Sequence, residues 1–282
     1  IWWLIRLNFD IIFVEKNRQR KELMKMNQEN ILEKMKDAGM VDEAVSAETM
    51  IKEKSMVLQI GESLIIVNPN GKIMEHTATS FRKENYKEKV LDFVHMEEMN
   101  HYNPLHYLRN EADVMSFARY LINKMEKNEE SFMLGSEIAL LTALICYVKM
   151  ERPEKDQNFA SIMKMLRVTQ VNAMDPNAES NLDVIFDNLE RKNPEHIAVK
   201  QWKIFKLNHP HDQERVITSL AAKLSIFDLP MIEKITSTDD LELDQMKDQT
   251  TVLFVKIPTI NDSYDILTEL LCFQLMNMAD CD

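Results

Sequence analysis

The feature that most constrains the fold of this chain is a long helical block set between strand-like segments. From Glu111 onward, apolar residues recur with a period near 3.6, which predicts successive α-helices separated by prolines. The block is roughly 120 residues long, too long to be a connecting loop. The predicted helices cover residues 111–122, 138–148, 159–166, 182–189, 196–205 and 216–227. The 138–148 segment is almost entirely apolar, and its short length predicts a buried helix rather than a membrane span.

Strand-like segments lie on both sides of the block. Residues 63–73 form an apolar run that ends in a Pro-Asn-Gly turn, and residues 87–94 are a second strand candidate. A polar helical segment through Phe81 separates them, so the three elements form a βαβ unit, which predicts a parallel pair. After the block, residues 251–257 predict a strand and residues 264–278 an amphipathic helix. The fold class is therefore predicted to be α/β, with a parallel sheet interrupted by a large helical insertion.

Glycine is scarce, and this limits the kind of ligand site the chain can build. The sequence has 4 glycines in 282 residues, whereas average usage would give about 20. Phosphate-binding loops use clustered glycines because only glycine allows close backbone approach and positive φ. No two glycines here lie within nine residues of each other. The composition therefore argues against a glycine-rich nucleotide loop.

The net charge limits how the chain could bind nucleic acid, and the cysteines indicate the redox state of its compartment. The formal net charge is −12, so binding to nucleic-acid phosphates would need a local basic patch. The cysteines, Cys146, Cys272 and Cys281, are odd in number and widely spaced. This favours a reducing compartment and no disulfide framework.

The amino-terminal segment has two interpretations. Residues 1–14 are apolar but carry Arg6 and Asp10, and they are shorter than the ~20 residues that span a bilayer. One interpretation is an ordinary amphipathic segment. The other is the cytoplasmic end of a membrane segment, because two tryptophans precede a basic stretch. Since the sequence begins with isoleucine, we expect it to be a fragment.

Several segments, taken in order, resemble one known family. They are YNPLHYLRNEADV (102–114), QNFASIMKMLR (157–167), DPNAESNLDVIFDNLE (175–190), NPEHIAVKQWKIFK (193–206), SLAAKLSIFDLP (219–230) and TDDLELDQMKDQTTVLFVKIP (238–258). Together they resemble the type IV secretion coupling proteins, the TraG/TraD kind found in conjugative elements, and most of all the Gram-positive branch. The resemblance runs from about residue 63 to residue 278, and so covers most of the chain.

The resemblance implies an architecture and a role. It implies a RecA-like ATPase domain interrupted by an all-helical domain, with ATP and Mg²⁺ as the family's cofactors. Family members are homo-hexamers at the cytoplasmic face of the plasma membrane, and they pass a relaxase–DNA complex to the secretion channel. The implied domains are an amino-terminal helical segment (1–40, with a juxtamembrane position as one option), a partial RecA-like domain (41–110 and 236–282) and an inserted all-helical domain (111–235).

The phosphate-binding loop that the resemblance implies is degenerate. Counting back from Ser63 places it at residues 43–49, which read EAVSAET, without glycine and with Glu48 where the phosphate-binding lysine would stand. An anionic side chain there repels phosphate. The family's Asp-Pro-Lys-Gly-Glu turn reads Asn-Pro-Asn-Gly-Lys over residues 68–72. The degenerate nucleotide-binding residues are Ser46, Glu48, Thr49 and Asn70. No catalytic residue and no bound cofactor are expected for this chain, and the family's second acidic motif would lie beyond residue 282.

One helix carries candidate contact residues. Lys200, Lys203 and Lys206 alternate with Trp202 and Phe205, a combination that suits single-stranded nucleic acid. However, the aromatic residues at i, i+3 are predicted to face the core and the lysines to form a solvated face. The three lysines remain candidates for contact with DNA, or with a relaxase or another secretion-system protein, mainly because of the resemblance.

No metal site is expected. Histidines and glutamates gather in two segments, at His95, Glu97, Glu98, His101 and His106 and at His209 and His211, but their spacing is that of loops rather than of one helix face. Three hypotheses for function remain. The first is a coupling-protein-like module that no longer binds ATP and either acts by binding proteins or is a decayed fragment. The second is an active ATPase subunit completed by other segments or a neighbouring subunit, and the third is an unrelated structural or interaction protein.

Overall fold

The computed structural model describes residues 33, 36, 56–60, 63–69, 72–95, 99–126, 133–169, 179–246, 248–258 and 264–279. The chain divides into two compact units. The sheet unit comprises residues up to 99 and residues 244–262, and the helical unit comprises residues 100–243 and 263–282. The domain boundaries implied by the family resemblance stay a prediction.

The sheet unit confirms the predicted α/β class. In the described part of the chain the sheet has four strands: β1 (Met56–Ile60), β2 (Ser63–Pro69), β3 (Lys87–Asp92) and β4 (Thr251–Ile257). Their order is β1-β2-β4-β3, with β1 antiparallel to β2 and the other three strands parallel. The predicted strands before the helical block are therefore parallel, but they are not neighbours, because β4 lies between them. No strand was predicted at β1.

Side chains on both faces of the parallel strands are buried. On one face, Leu64 and Ile66 of β2 lie in register with Val252 and Phe254 of β4. Helix α1 (Lys72–Lys83) packs against this face, where the Phe81 ring meets the Phe254 ring edge-on at 5.9 Å. The alternate side chains of β2 and β4 are buried as well. This explains why both segments read as unbroken apolar runs, which is typical of parallel strands.

The helical unit contains the helices that the 3.6-residue period predicts. In the described residues these are α2 (Glu111–Met125), α3 (Leu134–Glu151), α4 (Phe159–Val168), α5 (Asn181–Lys192), α6 (Ile197–Lys206), α7 (Pro210–Lys223) and α9 (Asp265–Ala279), and one further helix, α8 (Pro230–Ser237), lies between α7 and α9. Short 3₁₀ turns lie at Glu154–Asp156, Leu224–Asp228 and Leu243–Gln245. The predicted single helix over 216–227 is wrong at its end, because α7 stops at Lys223. Helix α8 was not predicted as an element.

Local capping residues decide where several of these helices begin. Asn110 and Asn158 accept hydrogen bonds from backbone amides in the first turns of α2 and α4. Ser180 and Asp183 form a capping box at α5. These side chains satisfy amide groups that have no partner within the helix. Prolines occupy the first positions of α7 and α8, where their missing amide costs nothing.

Helix α3 is the centre of the helical unit. Its residues from Ala139 to Cys146 are all buried, as the apolar run predicts. Its first turn carries one charge into this core: Glu137 is fully buried and binds Lys223 Nζ at 2.5 Å. Glu126, just after α2, binds the same ammonium group at 2.6 Å. One lysine at the end of α7 therefore joins the end of α2 to the start of α3.

Candidate functional site

A polar row crosses the carboxyl ends of the parallel strands. Asn68 of β2 and Asp92 of β3 both lie in register with Lys256 of β4, between them. In parallel strands, residues in register point to the same face of the sheet, and ligands of open α/β sheets bind outside the carboxyl ends of the strands. The row therefore lies where a ligand of this fold would be expected.

Asp92 is the anchor of this row. Its Oδ1 accepts hydrogen bonds from the amides of Val94 (2.8 Å) and His95 (3.0 Å), and its Oδ2 lies 3.1 Å from Lys256 Nζ. Burial alone would raise the pKa of Asp92, but these hydrogen bonds, together with one to the His95 ring, outweigh burial and hold the pKa below its ordinary value. Asp92 is thus ionised and neutralises Lys256. The row carries little net charge to attract phosphate.

The degenerate nucleotide-binding residues lie outside the described part of the chain. These residues are Ser46, Glu48, Thr49 and Asn70, and the structure describes none of the four. Asn68 is described, and it is buried at the end of β2. In the sequence it is the first residue of the Asn-Pro-Asn-Gly-Lys segment at 68–72.

On α6, every one of the three candidate lysines faces a carboxylate. Lys200 Nζ lies 2.8 Å from Glu195, Lys203 is paired with Glu190, and Lys206 Nζ lies 2.9 Å from Asp183. Glu190 and Asp183 belong to α5 and Glu195 to the turn between the helices. The lysines are therefore exposed, as predicted, but they face acidic partners within their own unit.

Lys206 differs from the other two because its side chain, although exposed, lies against buried aromatic residues. Its ammonium group lies 5.6 Å from the centre of the Trp202 ring, which stacks on Phe186 at 4.6 Å. Trp202 and Phe205 are buried, as the i, i+3 spacing predicts. Its partner Asp183 also caps α5. Lys206 thus covers an aromatic cluster, which is a structural position.

Aliphatic side chains complete the outer face of α6, which we define as Lys200, Lys203, Ile204 and Leu207. Their spacing places them along one line of the helix and its C-cap. Ile204 is 47% exposed and Leu207 85% exposed. An exposed face that combines ion pairs with aliphatic side chains is better suited to binding a partner protein than to binding a sugar–phosphate backbone.

The remaining reactive residues have ordinary structural positions. His196 caps α6: its Nδ1 accepts a hydrogen bond from the Ala198 amide, which places the proton on Nε2, 3.6 Å from Glu151. Cys146 and Cys272 are free and buried, and burial raises the pKa of each thiol to about 12.

Two described histidines of the histidine segments each pair with a single carboxylate rather than with one another. His95 pairs with Asp92 and His101 with Asp240, while Glu97 and Glu98 lie outside the described residues. Across the described ranges, no group of three or more His, Cys, Asp or Glu side chains is placed to hold a metal ion.

Sequence reasoning missed the polar row and a pair of aspartates, Asp239 and Asp240. The row had a signal, since each of its members stands near the end of an apolar strand. The contact between Asp92 and Lys256 had none, because it spans 164 positions of sequence.

No helix in the described part of the chain combines the length and the apolar character needed to cross a membrane.

A search of the curated proteins found none that matches the chain. A comparison with protein families gave a match to the family described as Type IV secretory system Conjugative DNA transfer, over residues 54–280. The match includes all the strands and helices named above, from β1 to α9, and confirms the resemblance to the TraG/TraD kind of coupling protein. This chain therefore belongs to the type IV secretory system conjugative DNA transfer family.

Proposed function

We propose that this chain works in conjugative DNA transfer as a coupling-protein module that binds a protein partner through its helical unit and neither binds nor hydrolyses ATP. The partner is the relaxase or another component of the secretion system, and the place of action is the cytoplasmic face of the plasma membrane. A homo-hexamer of the family kind is not required for this role.

The observation that carries this proposal is the outer face of α6. A polyanion binds when lysine and arginine side chains neutralise its phosphates and the condensed counterions are released into solution. Lys200 and Lys203 instead face Glu195 and Glu190, so a phosphate would have to compete with these carboxylates. The adjoining Leu207 offers aliphatic area that a phosphate backbone cannot use. A protein partner can use both the ion pairs and the aliphatic side chains.

Two features support the absence of ATP chemistry. The segment at the position of the phosphate-binding loop lacks glycine and has Glu48 where the lysine belongs. At the carboxyl end of the sheet, Lys256 is neutralised by Asp92. A glycine-free segment at the phosphate position and a Lys256 ammonium group already paired with Asp92 both disfavour a bound triphosphate.

The second candidate is an active ATPase subunit whose nucleotide site is completed by other segments or by a neighbouring subunit. The polar row favours it, because Asn68, Lys256 and Asp92 lie at the edge where a nucleotide of this fold would sit. Calorimetric titration with Mg²⁺-ATP separates the two candidates, with a known P-loop ATPase as positive control. No heat up to millimolar nucleotide supports the partner-binding module, and saturable micromolar binding supports the ATPase.

The partner surface is tested with the purified relaxase of the same conjugative element. Biolayer interferometry would compare the unmodified chain with Leu207→Asp, which places a charge on the outer face of α6. We expect affinity to fall about tenfold or more, as for a central apolar contact. The matched control is Leu229→Asp, which changes a 43% exposed leucine elsewhere on the helical unit. Equal affinity of the unmodified chain and Leu207→Asp would contradict this surface.

A further inference from the structure

Asp239 and Asp240 form hydrogen bonds with residues 100–107. The helical unit's longer segment, residues 100–243, therefore has its first and last residues in contact. Asp240 accepts hydrogen bonds at Oδ1 from the His101 amide (2.8 Å) and from Asn100 Nδ2 (2.9 Å). Its Oδ2 lies 3.2 Å from His101 Nδ1, and its own amide donates to the His101 carbonyl at 3.1 Å. The two ends of a segment of more than 130 positions thus meet side by side.

Asp239 makes a second set of contacts deeper inside. Its Oδ2 accepts from the Asn103 amide at 3.0 Å, and its Oδ1 accepts from the Tyr107 hydroxyl. That hydroxyl in turn accepts from the Leu243 amide at 3.2 Å. Asp239 is half-buried, and desolvation raises the pKa of its carboxyl group. A half-buried carboxylate that has these donors is costly to leave unpaired.

The same short segment also holds the last helix. The Tyr102 amide donates to the Ile235 carbonyl at 3.0 Å, and the Tyr102 hydroxyl donates to Gln274 of α9 at 2.5 Å. Gln274 Nε2 returns a hydrogen bond to the Pro104 carbonyl at 2.7 Å. Residues 100–107 therefore contact both of the chain segments that make up the helical unit.

We propose that residues 100–107, Asp239 and Asp240 form a clasp that closes the base of the helical unit and keeps this unit folded when the sheet unit opens. Every donor and acceptor named above belongs to the helical unit, so none is lost when the sheet strands separate. Hydrogen bonds to ionised carboxylates are among the stronger ones in proteins. Local opening follows such cooperative units rather than the whole chain.

The clasp has a consequence for function that rests on the proposed partner binding. A helical unit that holds its own fold presents the outer face of α6 whatever the state of the sheet unit. The test below measures unfolding rather than binding, so it fails or succeeds independently of the proposed function.

Hydrogen exchange of the full chain across a urea series, read by mass spectrometry, tests the clasp. Peptides from β2 and β4 should lose protection at lower urea than peptides covering residues 100–108 and 235–243. In Asp240→Ala, exchange at 100–108 and 235–243 should rise about tenfold or more, because charge-assisted hydrogen bonds are lost. Exchange in β2 and β4 should stay unchanged.

The matched control is Asp228→Asn, which removes an ion pair with Arg167 elsewhere in the helical unit and should leave the clasp peptides protected. If Asp240→Ala does not fold, Asn100→Ala serves instead, since it removes one hydrogen bond and should raise exchange at the clasp by about threefold. One coincident transition for both units in the unmodified chain, or a variant that changes both units equally or neither, would overturn the proposal.

Discussion

At the scale of single residues, the three evenly spaced lysines of α6 are expected to contribute differently to the stability of the fold. Lys200 pairs with a highly exposed glutamate, whereas Lys206 lies between the capping carboxylate of Asp183 and the face of a buried tryptophan. Exposed ion pairs contribute little, because water screens them and both side chains lose freedom. A partly buried cation that also meets an aromatic face contributes more.

We therefore predict that Lys206→Ala lowers the free energy of unfolding by about 0.5–1 kcal/mol, as expected for a partly exposed ion pair combined with a cation–π contact. Lys200→Ala, the matched control, should leave it unchanged. Urea denaturation followed by tryptophan fluorescence measures both. Equal losses in the two variants would show that Lys206 has no special structural role.

The Asp92 carboxylate predicts a pH dependence with a definite sign. The pKa of Asp92 is lower in the folded protein than in the unfolded chain, where it is about 4. The carboxylate therefore stabilises the fold fully at pH values above about 4, and this stabilisation is lost as the pH falls through the lowered pKa. Asp92→Asn should be less stable than the unmodified chain at pH 6, and the difference should shrink as the pH falls below 4. Urea midpoints from pH 6 to pH 2.5 measure this, with the exposed Asp187→Asn as control. A difference that is constant with pH would contradict it.

At the scale of elements, the helices were predictable and the strand order was not. The apolar period located α2 to α7, and the boundaries followed caps such as Ser180 that are visible in the sequence. Strand β4 was also predicted at its observed position. Its place between β2 and β3 was not predictable, because the apolar pattern of a strand does not show which distant strands it pairs with. The same distance hid the Asp92–Lys256 contact, whereas the polar strand ends themselves were visible.

The turn between α1 and β3 depends on one left-handed residue. Asn85 has φ of 62°, and the Tyr86 amide that follows donates to the Phe81 carbonyl at 3.0 Å. Asparagine tolerates this region, whereas a β-branched side chain does not. Asn85→Val should lower the free energy of unfolding by about 1–2 kcal/mol, and Asn85→Gly should be neutral or slightly stabilising. Thermal melts of both variants check this, and a neutral valine variant would argue against the left-handed conformation.

The charges that join α2, α3 and α7 predict a larger effect. Burial would lower the pKa of Lys223, but Glu126 and Glu137 outweigh it and raise the pKa. Lys223→Met leaves two carboxylates without their cation, which should cost about 3–5 kcal/mol. Adding Glu137→Met should recover part of that loss, because the fully buried charge is removed as well. Urea midpoints of the single and double variants measure this, and an additive second loss would contradict it.

At the scale of the whole molecule, net charge argues against direct binding of nucleic acid. The chain carries a net charge of −12, and the lysines of α6 face carboxylates. We expect no binding of a fluorescent 30-nucleotide single strand at 150 mM salt by anisotropy, and only weak binding at 20 mM. A single-stranded DNA-binding protein serves as positive control. Micromolar binding at 150 mM salt would return the α6 lysines to consideration as DNA contacts.

The position of β4 also sets the order in which the polypeptide can mature on the ribosome. The Thr251 amide of β4 donates a hydrogen bond to the Ser63 hydroxyl of β2 across 188 positions of sequence, and among the described strands β3 pairs with β4 alone. Until β4 has emerged, β2 and β3 have no strand between them, while the residues of α2 to α8 are already synthesised and can pack. In a nascent chain whose emerged part ends before residue 251, the α2 to α8 segment can therefore fold while β2 and β3 still lack β4, and chaperone binding should concentrate on the apolar strand β2.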